Sequence, residues 1–334
     1  MTDVDLDPMD RPDLWLGAVS WEAAGRWRQP WRLPPRLERR AYAPELFEKA
    51  MAPAGVRAAL TSEARELTVE LDIATEDPSP LDLLVDGELA QRARLVAGAN
   101  QVAFGLPGRR AAIELWLPQH GQTRLAEVRL RDAAGAVLPA EPAPRRWLCY
   151  GSSITQCRHA SGPAETWPAL VARARGWDLL CLGFGGQCHL DPVAADTIRA
   201  EPADLISLCL GINVYGAGTY SRRTWRGRVA DFVARVRDAH TRTPIVVMSP
   251  IASPERETVT NAAGMTLADL REGVHEVVAD LSADDGDLHL VDGTSILRPS
   301  EADLLADGLH PGPHGYRTMA TRIGAALDLA LTSG

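Results

Sequence analysis

Two short segments far apart in the chain carry residue types suited to acyl transfer: Gly151-Ser152-Ser153-Ile154-Thr155 and Asp307-Gly308-Leu309-His310-Pro311. Chemistry through an acyl-enzyme needs a hydroxyl nucleophile, a base to take its proton, a group to orient the base, and donors for the oxyanion. Ser153 is the candidate nucleophile. His310 is the candidate base, because an imidazole exchanges protons near neutral pH. Asp307 stands three residues before it, close enough for a carboxylate to hold one ring nitrogen while the other faces the serine. The backbone N–H groups of Ser153 and Gly186 and the side-chain amide of Asn213 are candidate oxyanion donors, each typically worth about 3 kcal/mol in such a site. A glycine suits that role because no Cβ blocks the approaching substrate.

These residues need elements to bring them together. From residue 146 onward, short apolar strands alternate with helical stretches, the pattern of a parallel α/β sheet. Strands are expected at Arg146–Tyr150, Asp178–Leu182, Leu205–Leu210, Ile245–Ser249 and Leu288–Val291, and helices at Trp167–Arg175, Thr224–Asp238, Leu267–Leu281 and His314–Leu331. In an open parallel sheet the ligand crevice lies at the carboxyl ends of the strands. The candidate residues follow those ends: Gly151–Thr155 after the first strand, Gly183-Phe-Gly-Gly-Gln187 after the second, Gly211-Ile-Asn213 after the third, and Asp307–Pro311 beyond the last.

The first part of the chain reads differently. Glu66-Leu-Thr-Val-Glu-Leu-Asp-Ile73 alternates polar and apolar residues strictly, as a half-buried strand does. Leu81–Val85, Ala112–Leu117 and Leu125–Leu130 are further candidate strands, and no helical periodicity runs between Ser62 and Leu138. Residues 1–140 are therefore expected to form an all-β antiparallel sandwich, jelly-roll-like in kind. Residues 141–145 end a proline- and alanine-rich connector, and 146–334 form the α/β domain.

Composition narrows the partners. A hydrophobic fraction of 46% and a charged fraction of 24% are ordinary for a globular chain, and its 334 residues suit one large and one smaller domain. The formal charge of −9 argues against nucleic acid or an anionic membrane as a partner. One basic run, Arg26, Arg28, Arg32, Arg36, Arg39 and Arg40, runs against that total and is read as a solvated or internally paired segment. No apolar run approaches a membrane span, and the acidic N-terminus lacks the core of a secretory signal. The five cysteines form no Cys-x-x-Cys pair, which suits a reducing cytoplasm. Cys157 and Cys188 read as buried and inert. Pro311, Gly312 and Pro313 break the helical spacing a His310/His314 metal pair needs, so neither metal nor organic cofactor is expected. Nucleotide loops and the Gly-x-Ser-x-Gly elbow are absent. Trp15, Trp21, Trp27 and Trp31 are read as packing residues, with a sugar platform as the alternative.

The four blocks in this order resemble the SGNH hydrolases, also called the GDSL family, over about Arg146 to Leu331. The resemblance implies a flavodoxin-like three-layer α/β/α domain and selects Ser153 over Ser152, which stands at the family's aspartate position. It also favours His310 over His314. Val214 likewise replaces an aspartate often found after the asparagine. Ser152, Gln187, His189 and Val214 are taken as possible pocket residues on this alignment. The Gly-Phe-Gly-Gly-x-Cys-His-Leu block is most similar to actinobacterial two-domain members, one of which is a polyketide-tailoring acyltransferase. The implied activity is cleavage of a small-molecule or carbohydrate ester, with transfer of an acyl group from donor to acceptor hydroxyl as the alternative. A carbohydrate-binding protein with a vestigial hydrolase domain is a further one. A homo-oligomer is compatible with all three.

Overall fold

The computed structural model describes residues 2–332. Five apolar runs form one parallel sheet: Arg146–Gly151 (β1), Asp178–Gly183 (β2), Leu205–Cys209 (β3), Ile245–Met248 (β4) and Leu288–Val291 (β5). They pair in the order β2-β1-β3-β4-β5, the flavodoxin-like winding. Successive side chains of a strand face opposite layers, and both layers here are apolar. Leu148 and Tyr150 meet Phe232, Val236 and Val274 on one side, while Trp147 and Cys149 meet Trp167, Val171, Met319 and Ile323 on the other. Each fully buried side chain of this size contributes about 1.5–3 kcal/mol relative to exposure.

The covering helices are Trp167–Arg175, Pro192–Ala200, Arg222–Ala239, Leu267–Ser282 and Pro313–Thr332. Local signals set their ends. Thr266 and Asp269 exchange side-chain-to-backbone hydrogen bonds in a capping box, and Thr166 accepts from the Ala169 N–H. The Pro192–Ala200 helix went unread in the sequence, although Pro192 sits at its first turn, where a missing N–H costs nothing.

The N-terminal region stacks two antiparallel sheets. One contains Ser20–Ala24, Trp27–Trp31, Thr123–Ala133, Glu66–Ile73 and Gly98–Gly105; the other contains Leu138–Pro139, Arg57–Ser62, Ala111–Trp116, Leu81–Val85 and Glu88–Ala93. Leu67, Val69, Leu71 and Ile73 point into the shared core, as their alternation requires. Gly98–Gly105 escaped sequence reading because its Ala, Asn and Gln residues carry little strand propensity. Leu138 and Pro139 of the connector pair with Thr61 and Leu60 as an edge strand, and residues 141–145 are exposed throughout.

The β-sandwich region also carries two short helices that the sequence reading did not mark. Glu38–Ala41 and Pro44–Ala50 are helical, and Leu46, Phe47 and Ala50 belong to the same core as Tyr150 and Phe184 of the α/β domain. A helix this short forms because its apolar face finds tertiary partners. The basic run is paired internally at three points. Arg26 meets Glu70, and Arg28 reaches Asp7 at 2.7 Å. Arg32 is fully buried and donates to the carbonyls of Lys49 (2.6 Å), Ala52, Cys181 (3.1 Å) and Gly183 (2.6 Å). Burial pushes its guanidinium down to about 10, so it stays charged at neutral pH. The four tryptophans do not align as a platform. Trp15 donates to the Leu6 carbonyl and packs edge-on against Trp21, Trp31 tilts against Phe47, and Arg26 and Arg124 flank Trp27.

Candidate active site

At the carboxyl end of β1 the chain turns directly into the helical turn Ser153–Gln156. Ser152 caps it, its Oγ accepting from the Ile154 N–H at 3.2 Å. Ser153 is the first helical residue, so its own N–H has no intrahelical partner. A neighbouring strand permits this tight arrangement: a Cβ on Gly183, at the end of β2, would lie 2.5 Å from the Gln156 nitrogen.

The distant histidine closes onto this turn. Ser153 Oγ lies 2.8 Å from His310 Nε2, and His310 Nδ1 lies 2.8 Å from Asp307 Oδ2. Asp307 Oδ1 also accepts from the backbone N–H groups of Leu309 (3.0 Å) and His310 (2.7 Å), which fixes the carboxylate against the ring. A carboxylate at Nδ1 places the proton there and leaves the Nε2 lone pair facing the hydroxyl. Burial alone would raise the Asp307 carboxyl. The His310 N–H, the His310 ring and the Leu309 N–H together outweigh it and hold the group well below the usual carboxylate range. His159 Nε2 stands 4.0 Å from the same Oδ2 of Asp307, its ring 5.5 Å from that of His310. The three groups His159, Asp307 and His310 lie near enough to hold an ion, yet the 2.8 Å contact between ring and carboxylate fits a shared proton.

The glycine block approaches from β2. Gly185 N–H donates to Gln156 Oε1 at 2.8 Å, and His189 Nε2 lies 3.0 Å from the Gly186 carbonyl. Gly186 has φ 76°, and a Cβ there would meet nothing, so glycine serves the left-handed backbone rather than tight packing. After β3, Asn213 Oδ1 accepts from the Cys188 N–H at 3.0 Å. That bond settles which end of the amide is oxygen, since only the oxygen can accept. The Asn213 NH2 group makes no hydrogen bond among the described residues and remains available as a donor.

Ser153, Gly186, Asn213, Asp307 and His310 together line a cleft of about 580 Å³. The four expected pocket residues are not among its lining. Ser152 is buried as a cap, and Gln187 turns back in a backbone bond to Phe184. His189 is held between the Gly186 carbonyl and Thr219, and Val214 is fully buried in the sheet core. Sequence reasoning missed Lys49, His120, Gln156, Arg158 and His159, which complete the walls. Cys157 and Cys188 are buried, and burial raises both thiols, so neither offers a ready thiolate. His314 is exposed in the first turn of the last helix, away from the cleft lining.

A 2-1-3-4-5 parallel sheet with a serine, an oxyanion-type glycine, an asparagine and an Asp/His pair at its carboxyl edge defines a class of ester-processing enzymes. The chain belongs to the GDSL-like lipase/acylhydrolase family, which it matches over residues 149–318. Residues 14–126 match the N-terminal domain of SsfX3. The whole chain is similar to the structure of the salicylyl-acyltransferase SsfX3 from a tetracycline biosynthetic pathway, with 32% identity, a TM-score of 0.87, and coverage of 99% of this chain and 98% of that one. It shares its fold with a protein of Bacteroides ovatus described as a GDSL-like lipase (20% identity, TM-score 0.80, 100% and 98% covered). The same holds for a family two carbohydrate esterase of Cellvibrio japonicus (16% identity, TM-score 0.67, 99% and 98% covered). Comparison with curated proteins gives no match. The chain is thus an enzyme of ester chemistry, a hydrolase or an O-acyltransferase. Among the described residues no helix is long and apolar enough to cross a membrane.

Proposed function

We propose that this enzyme processes a small-molecule or carbohydrate ester through an acyl-Ser153 intermediate, with His310 and Asp307 completing a catalytic triad. The observation that carries the reading is the continuous chain of 2.8 Å contacts from Ser153 Oγ through His310 to Asp307. Ser153 Oγ attacks the acyl carbonyl carbon while His310 Nε2 takes its proton. The Ser153 and Gly186 N–H groups and the Asn213 amide receive the oxyanion. His310 then returns the proton to the leaving alcohol as the ester bond breaks. In the second half-reaction water or an acceptor hydroxyl attacks the acyl group, His310 again relays the proton, and Ser153 is restored. Residues 1–140 are proposed as a sandwich domain and 146–334 as the catalytic domain, joined by 141–145. The contacts from Ser153 through His310 to Asp307 support turnover over a vestigial site.

One observation favours transfer over hydrolysis. The likeness to the salicylyl-acyltransferase SsfX3, at 32% identity and a TM-score of 0.87, is higher than that to the GDSL-like lipase of Bacteroides ovatus (20%, 0.80) or to the carbohydrate esterase of Cellvibrio japonicus (16%, 0.67), although all three extend over nearly the whole chain. Hydrolase and transferase share the same triad and differ in what reaches the acyl-enzyme. The test is to incubate the enzyme with an activated acyl donor and a panel of alcohols and to measure the partition of product. A transferase yields ester in excess of free acid at millimolar acceptor, whereas a hydrolase yields acid alone. Neither product at a rate above the uncatalysed background contradicts the acyl-enzyme reading.

A further inference from the structure

The chain contains 35 basic residues, and Lys49 is its single lysine. Only two basic side chains, Lys49 and Arg158, line the cleft with Ser153, so the one exception to an otherwise all-arginine composition falls on the wall of the candidate site. Lysine and arginine differ there in kind. An ammonium is a compact point charge on a flexible stem with three donors, while a guanidinium is a rigid planar fork that seeks fixed partners.

Lys49 is half-buried and its side chain makes no hydrogen bond or ion pair among the described residues. Most arginines, by contrast, are engaged by carboxylates or carbonyls. The second cation, Arg158, reaches Asp77 at 3.2 Å, but both side chains are largely exposed and the pair screens little. The carboxylate among the cleft-lining residues, Asp307, is already committed to His310. Lys49 and Arg158 against the ionised Asp307 leave the cleft lining net positive by one formal charge, within a protein of net charge −9. A cleft with a net charge of one sign concentrates ligands of the other.

Lys49 is also held in place. The buried Arg32 guanidinium donates to the Lys49 carbonyl and to the Gly183 carbonyl, both at 2.6 Å. This ties the helix Pro44–Ala50 to the strand that runs on into Gly185 and Gly186. The anchor fixes the Lys49 backbone beside the oxyanion loop, and the flexible stem carries the ammonium from there. His120 adds to the picture, because burial, with help from Arg158 and Lys49, pushes its imidazole down to about 4. It stays neutral at working pH and offers an N–H donor without adding charge.

We propose that Lys49, with Arg158 and His120, forms a subsite for a carboxylate or phosphate carried by the ester substrate, so that the enzyme selects anionic over neutral esters. This inference rests on the acyl-Ser153 reading for its location, while its binding arm below does not. The anion could belong to the acyl side or to the alcohol side, and paired substrates separate the two. For the acyl side, kcat/KM is compared for the mono-4-nitrophenyl ester of glutarate and for 4-nitrophenyl butyrate. For the alcohol side, 4-acetoxybenzoate is compared with its methyl ester. In at least one pair the charged member is expected to be preferred about tenfold or more, a single charged hydrogen bond's typical effect. Lys49→Met removes most of that preference, Lys49→Arg retains part of it, and 0.5 M salt weakens it.

Binding is measured separately by calorimetry with benzoate and with inorganic phosphate. The expected result is affinity about tenfold lower in Lys49→Met for at least one of them. Unchanged charged-to-neutral ratios, or equal anion affinities in wild type and Lys49→Met, overturn the proposal. Absent turnover of all four esters, with anion affinity still dependent on Lys49, counts against the acyl-serine reading and leaves the subsite standing.

Discussion

Ser153→Ala lowers kcat toward an activated aryl ester by about 10⁶-fold, the scale seen when the nucleophile of a hydroxyl triad is removed. Only the residual catalysis of binding and oxyanion donors survives, about 10³- to 10⁴-fold over water. The geometry separates this loss from any loss of fold. The Ser153 hydroxyl bonds to His310, and that ring borders an open cleft, so the deletion leaves no sealed polar group unpaired. Thermal unfolding should shift little, by the small amount typical of positions without buried partners. The checks are steady-state kinetics beside a melting curve. A variant that keeps more than about one hundredth of wild-type kcat shows that another group is the nucleophile.

His310→Ala is expected to cost about as much, again near 10⁶-fold in kcat, because Ser153 then has no base within reach. The neighbouring His159 does not replace it: its Nε2 stands 4.0 Å from Asp307, and it makes no hydrogen bond to Ser153. The informative measurement is the double variant Ser153→Ala with His310→Ala. Groups that act as one unit are not additive, so the double variant falls no lower than either single one. Two independent losses that multiply contradict a triad. Acidification gives a related sign. Asp307 is held well below the usual carboxylate range, so its contribution to stability is present above the unfolded value near 3.9 and fades only as pH falls toward its own lower value. Activity lost between neutral pH and about 5 therefore reflects a group other than Asp307.

Much of this was legible in the residues. Continuous apolar runs gave the five parallel strands, because a strand buried on both faces leaves no room for polar alternation. The strict alternation of Glu66–Ile73 marked a sandwich strand for the opposite reason. Short turn motifs placed after successive strands brought serine, glycine, asparagine and histidine to one edge of the sheet, since all the strands of a parallel sheet point the same way.

What escaped was mostly direction and docking. Val214 follows Asn213 in sequence, but one residue along a helix turns the side chain by about 100°, which carries it from the cleft into the core. His189 sits beside the glycine block and spends both ring nitrogens bracing it. Lys49 and His120 reach the cleft only because helix Pro44–Ala50 and the turn after Ala111–Trp116 fold over the parallel sheet, a long-range contact with no local pattern. The buried Arg32 that ties these parts together lay inside a run read as solvated or internally paired, with nothing local to mark which of its arginines is buried. A single lysine among 35 basic residues was the one signal that could have drawn attention there.

The central claim, that Ser153 is an activated nucleophile, is tested most directly by treating the folded enzyme with a fluorophosphonate and weighing the intact protein. The account predicts one adduct per chain, mapped by peptide sequencing to Ser153 and lost in both Ser153→Ala and His310→Ala. Stoichiometric modification of any other residue, or no adduct on the folded wild-type protein, contradicts it.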